Sequence, residues 1–276
     1  MERLDKDLIA DPSICNLLLR ICPEQLDAAV YSVVSDNSFL HRSYSLISPT
    51  GPTMGMLEET IYDNPLLLSD FRRTYCIIEA RRVLSVPSEL LLQGHDALRR
   101  MFKMQWPDFD GEIIVDNNGT SNSAIVYGLE RDLSRFLRRT FTSNLCIDSH
   151  LSSLLRYFAA HPGRSNTVRT IANLRENSLD MIALRGSHLL MANTFAFDKP
   201  ADALYYILAS RESLKLDPKI DEMLLAGFSP LREDLSTRLR EYIARVMPVI
   251  FPPQMFKAGR EALGAPFDMI VAPLCE

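Results

Sequence analysis

The sequence has little of what usually announces a chemistry. Its 276 residues include only 5 cysteines, 5 histidines, 11 glycines and a single tryptophan. Cys15, Cys22, Cys76, Cys146 and Cys275 are scattered without a Cys-x-x-Cys pair, a spacing that suits neither a zinc site nor a disulfide framework and points to reduced thiols. His41, His95, His150, His161 and His188 never fall at His-x-x-x-His spacing, so none is read as a metal ligand or general base. Gly-x-Ser-x-Gly, Walker A and Gly-x-Gly-x-x-Gly motifs are all absent, which leaves nucleophilic hydrolysis and the common nucleotide folds without support. The net charge of −5 argues against generic nucleic-acid binding, which needs a basic excess. No apolar run is long enough to cross a membrane. The opening MERLDKDLIADPS lacks the apolar core of a signal peptide, so a cytoplasmic location is expected.

What is present is an ordinary globular composition, 47% hydrophobic and 24% charged. Ser13–Ile21, Leu26–Val34 and His41–Ile47 have the character of strands, Met54–Tyr62 of a helix, and Thr74–Glu79 of a fourth strand. Asn166–Leu214 repeats that order: three short strands (NTVRTIANL, SLDMIALR, HLLMANTF), then the helix 201–214, then a strand at Met223–Ala226. The repetition is one of element order, with no residue-level repeat visible between the halves. Between them, Val86-Pro87 opens a middle segment with a helix at His95–Met104 and strands at Glu112–Val115 and Ala124–Tyr127. Helices with a 3.6-residue stripe follow: Leu129, Leu133, Phe136 and Leu137 in one, Leu151, Leu154, Leu155 and Phe158 in the next. Leu235, Leu239, Ile243 and Val246 mark a last long helix, after which Pro248, Pro252 and Pro253 predict an extended tail.

Val86-Pro87, the block NTFAFDKPADALYYIL, the turn LLAGFSPL and the terminal Leu274-Cys275 resemble an uncharacterised bacterial family, the domain of unknown function DUF3822. That family is similar to the actin-like ATPases, and within them to the cytoplasmic actin-like proteins of pilus assembly and type II secretion. The resemblance implies an α/β fold: a duplicated, ribonuclease H-like arrangement of two lobes with mixed sheets. The first lobe would span residues 1–160, with a small inserted subdomain at about 86–140, and the second residues 161–276.

Such ATPases hold phosphates on two hairpins of Asp-x-Gly type, whose carboxylates act through a metal and whose glycines let backbone N–H groups approach the anion. In the second half, Asn173 and Arg175 stand where the resemblance places aspartate and glycine, and Arg20–Gln25 in the first half shows neither. Leu224–Ser229 is similar to an adenosine-contacting Gly-Gly-Ser turn but keeps one glycine. A rival stretch, Ile113–Ser121, is read as a plain Asn-Gly hairpin turn joining two strands. The expectation is therefore a non-catalytic scaffold or adaptor without a cofactor, holding a protein partner or a homodimer mate. The alternative is a divergent ATP-binding protein or ATPase taking ATP and magnesium through Gly227, Ser229 and Asp180, although Asp180 on a half-buried strand is expected to face solvent. Arg131, Arg135, Arg138 and Arg139 form a candidate partner surface, set against the simpler view of a solvated helix face.

Overall fold

The computed structural model describes residues 4, 8–32, 39–47, 54–116, 119–142, 144–164, 166–227, 230–253, 255 and 259–274. The chain opens with β1 (Cys15–Ile21), β2 (Gln25–Ser32) and β3 (Phe39–Ser45), crosses through α1 (Met54–Tyr62), and returns as β4 (Arg73–Ile78). An excursion follows: β5 (Val83–Pro87), α2 (His95–Gln105), β6 (Glu112–Asp116) and β7 (Ser123–Leu129). The path then runs through α3 (Arg131–Thr140), β8 (Leu145–Ser149) and α4 (His150–Ala160). The second half holds β9 (Val168–Leu174), β10 (Ser178–Arg185), β11 (His188–Ala196), α5 (Pro200–Ser213), β12 (Glu222–Ala226), α6 (Leu231–Leu239) and β13 (Val246–Pro248). The chain ends in two short helices, α7 (Arg260–Gly264) and α8 (Phe267–Val271).

These strands make two five-stranded sheets of identical order, β3-β2-β1-β4-β8 and β11-β10-β9-β12-β13. In each, a three-strand antiparallel meander is extended by parallel strands beyond its first strand. The central strands CNLLLRI and VRTIANL are buried along their whole length, because helices cover both faces. The excursion forms its own three-stranded sheet, β5-β7-β6, over a small core of Val86, Leu98, Phe102, Phe109, Ala124 and Val126.

Four expectations need correction. The strand β5 starts before Val86-Pro87, because Val83 to Pro87 pair in register with Tyr127 to Ser123. Helix α3 starts at Arg131, since Leu129 is the last residue of β7; its Phe136 and Leu137 pack into the first-lobe core rather than the small sheet. Helix α6 stops at Leu239, and Val246 instead pairs as a strand with Met223. The tail is not extended: after Pro252 the chain folds back, and Met255, Ala262, Met269 and Ile270 cover Leu18, Ala29, Tyr75 and Ile77 of the first sheet. Phe267 and Val271 of α8 meanwhile join Leu151, Leu154 and Phe158 of α4 against Ile171 and Ile182 of the second sheet. Helices α4 and α8 thus lie between the two sheets and tie them together.

Candidate functional site

A cleft of about 780 Å³ opens between the lobes where the β1–β2 and β9–β10 turns face each other. That volume lies in the range of small-molecule sites. The first turn contributes Cys22 to Gln25 and the second Arg175 to Ser178. Cys22 N–H donates to the Gln25 carbonyl at 2.9 Å, and Arg175 N–H to the Ser178 carbonyl at 2.9 Å, so the first amide of each turn closes its own hairpin.

The two hairpins can be superposed by register. Arg20 pairs with Asp27 across β1 and β2, and Asp27 with Ser43 across β2 and β3. Asn173 pairs with Asp180 across β9 and β10, and Asp180 with Thr194 across β10 and β11. Asp27 and Asp180 therefore occupy one position of a duplicated unit, each beside a hydroxyl from the next strand, and Arg175 corresponds to Cys22. The sequence carried this signal: Leu26-Asp27 and Leu179-Asp180 follow Arg20 and Asn173 at the same interval. Asp27 lies just past the Arg20–Gln25 stretch in which no aspartate was found.

Asp180 does not face solvent; it is 0% exposed. Both faces of the second sheet are covered, so its strand is buried rather than half-buried. Its Oδ1 accepts from Arg175 Nη2 at 2.7 Å and Thr194 Oγ1 at 2.8 Å, lies 3.1 Å from His150 Nε2, and its Oδ2 accepts from Asn173 Nδ2 at 3.0 Å. Burial pushes this carboxyl up, but Arg175, His150 and the hydrogen bonds hold it well below the usual carboxylate range. His150 caps the join between lobes, with Nδ1 3.2 Å from the Ile78 carbonyl of the first sheet.

Arg175 reaches across the cleft. Its Nη1 lies 2.8 Å from Glu79, just beyond β4 in the first lobe, while Nη2 holds Asp180. Arg20 is engaged as fully, with Nε 2.8 Å from Asp268 on α8 and Nη2 3.5 Å from Glu79. Burial would raise the Glu79 carboxyl, but Arg175 and then Arg20 hold it low. Cys22 is in contact with Arg20, and burial pushes its thiol well above its usual value despite that guanidinium. Among the described residues, no three His, Cys, Asp or Glu side chains are grouped to hold a metal ion.

Of the residues singled out from sequence, Gly227 lines the cleft and Asp180 lies beneath its wall, while Ser229 falls outside the described residues. Gly227 has φ +83°, and a Cβ there would run into the Leu174 carbonyl oxygen, so close packing of turn on strand requires glycine. The arginine helix lies elsewhere, and each of its arginines has an acidic partner: Arg131 with Asp110 at 2.5 Å, Arg135 with Asp132 at 3.5 Å, Arg138 with Glu112 at 2.9 Å, and Arg139 with Glu58 at 3.9 Å. Asp116 is paired with Arg156 at 3.4 Å, and Asn117 and Asn118 of the rival loop lie outside the described residues. Tyr206 stacks on Phe195 at 4.7 Å between ring centres, and its neighbour Tyr205 is exposed.

Comparison with solved structures identifies the architecture. A Bacteroides thetaiotaomicron protein with actin-like ATPase fold and unknown function is similar over 96% of this chain and 97% of its own, at 20% identity and TM-score 0.76. The PilM–PilN type IV pilus biogenesis complex is similar over 96% of this chain and 99% of the matched chain, at 14% identity and TM-score 0.58. The two five-stranded sheets and the helices between them are thus an actin-like ATPase fold. No curated protein matches the sequence. Residues 6–246 match the family described as "Protein of unknown function (DUF3822)", and the chain belongs to that family.

Proposed function

We propose that this protein is a non-catalytic member of the actin-like fold that works in the cytoplasm as a scaffold or adaptor for a protein partner. The observation that carries this reading is Arg175, whose guanidinium joins Glu79 of one lobe to Asp180 of the other where the fold's relatives are expected to place a phosphate-binding glycine. A guanidinium fixed by two carboxylates neutralises them, and Asp180, fully buried, already accepts from Arg175, Thr194 and Asn173 and so is poorly placed to serve a metal or its waters.

The cleft's charge supports the same view. Three arginines line it against five carboxylates, so a polyanionic nucleotide would meet an excess of negative charge. Phosphoryl transfer in any fold depends on cations and amide donors gathered around the phosphates, and the residues present do not fit magnesium and ATP. Partner binding is favoured by the PilM–PilN likeness, since that solved structure is a complex of two proteins. A second reading, a divergent nucleotide binder, draws on the cleft's ligand-sized volume.

Titration of the purified chain with ATP and with ADP, each with magnesium, by calorimetry separates the two. No saturable heat up to millimolar nucleotide is expected. Saturable binding at micromolar concentrations would overturn the scaffold reading.

A further inference from the structure

The duplicated carboxylates are not equally served, and the inequality points into the cleft. Asp180 is matched by Arg175, but the corresponding residue in the first hairpin is Cys22, which brings no charge. Asp27 keeps the same burial, its side chain 1% exposed, and its Oδ1 accepts from Ser43 Oγ at 2.5 Å and Gln25 Nε2 at 2.8 Å, with His41 Nε2 3.4 Å away. Its Oδ2 accepts no hydrogen bond, and the nearest cation, Arg20 Nη1, stands off at 3.8 Å because that guanidinium is directed to Asp268 and Glu79. A buried carboxylate oxygen without a donor is costly, and native structures leave few of them. Asp27 lines the cleft, and so does Glu79, whose side chain is 24% exposed.

We propose that the cleft is a binding site for a cationic group, a primary ammonium or a guanidinium, that donates to Asp27 and Glu79 and does for Asp27 what Arg175 does for Asp180. The excess of carboxylates over arginines around the cleft favours a ligand of that sign, and Glu24 and Glu176 in the two turns extend the attraction outward. This rests on the view that the cleft is not a nucleotide site, and it adds the chemistry of what enters instead. The group has two sources with one chemistry: a free polyamine or amino-acid cation, or the lysine or arginine side chain of a partner segment.

The test is calorimetry on the intact chain with spermidine, with free arginine, and with a lysine- and arginine-containing peptide beside its acetylated, citrulline-substituted counterpart, each compared with magnesium ATP. Saturable binding of a cationic probe that weakens roughly tenfold or more in Asp27→Asn, the scale of a charge-assisted hydrogen bond, is the expected result. Binding of the small cations identifies a free ligand; binding of the basic peptide alone identifies a partner's side chain. The variant's far-ultraviolet dichroism must match the parent. Should it unfold, Glu24→Gln and Glu176→Gln, which reach the cleft from its exposed turns, replace it and are expected to weaken binding severalfold. No binding of any cation by the unaltered chain at millimolar concentration overturns the proposal and leaves the scaffold reading standing. Saturable binding of magnesium ATP with no response to cations overturns both.

Discussion

The two hairpins that face the cleft hold the same carboxylate in different company. In the second, Asp180 is enclosed by Arg175, His150, Thr194 and Asn173, and both of its oxygens accept hydrogen bonds. In the first, Asp27 has Ser43 and Gln25 on one oxygen and no hydrogen bond on the other. The cation stands in a different place in each: the second hairpin has an arginine in the turn and Asn173 across from its carboxylate, the first a cysteine in the turn and Arg20 across from its carboxylate. Arg175 spans the lobes by holding Glu79 as well, so the second hairpin acts as a latch. The first lacks such a side chain and leaves an open place. Duplication of a fold preserves backbone geometry, but each copy's charges are matched separately, and a mismatch in one copy marks where an outside group belongs.

The largest effect is expected from breaking the latch. Arg175→Ala leaves Asp180 buried and Glu79 without its closest cation, and loss of one member of a buried charge pair costs about 3–5 kcal/mol. Urea denaturation would measure it, and a loss under about 1 kcal/mol would show that the lobes do not depend on this contact. Gly227→Ala comes next. The residue must keep φ near +83° while its new methyl meets Leu174, and the backbone conformation alone costs about 1–3 kcal/mol. The same titration reads it; an unchanged midpoint would remove the packing explanation for this glycine.

Acid provides a third, graded probe. Asp180, Asp27 and Glu79 all have carboxyl groups held below their ordinary values in the folded chain, so each contributes stability that is complete above the unfolded value, about 4. That stability is lost as pH falls from there through the folded values. Melting temperature is therefore expected to stay nearly level from pH 7 to about 5 and to drop below about pH 4. Asp180→Asn should flatten the acid limb by removing the most strongly lowered group, and an unaltered limb would contradict the assignment. The smallest effect belongs to the arginine helix. Arg135 and Asp132 are both largely exposed, and such a pair is worth about 0–1 kcal/mol, so Arg135→Ala should shift the midpoint by under about 0.5 kcal/mol.

The sheets were legible in the sequence because their central strands are buried on both faces and appear as continuous apolar runs such as CNLLLRI. Strand β5 was hidden by Pro87, which sits acceptably at the end of an edge strand although proline usually signals a break. Helix α6 was overextended because Ile243 and Val246 continue its apolar spacing, while pairing with β12, which no periodicity reports, turns Val246 into a strand. The prolines near 250 signalled a break but could not show that the following residues return to the first sheet. Half of the site was visible as well. Arg175 and Asn173 stood out as departures from a phosphate loop, and Arg175 does occupy the cleft wall. Asp180 was misplaced to solvent because helices shield its strand on both faces. Asp27 was missed because its correspondence with Asp180 becomes plain only when strand registers are laid side by side.

The most direct test of the hairpin comparison sets Asp180→Asn beside Asp27→Asn in urea denaturation at pH 7. The matched carboxylate should matter more: Asp180→Asn leaves Arg175 and His150 facing a neutral amide and is expected to cost at least about 2 kcal/mol more than Asp27→Asn. Equal losses, or a larger loss at Asp27, would contradict the claim that one hairpin carries its own counter-charge and the other waits for it.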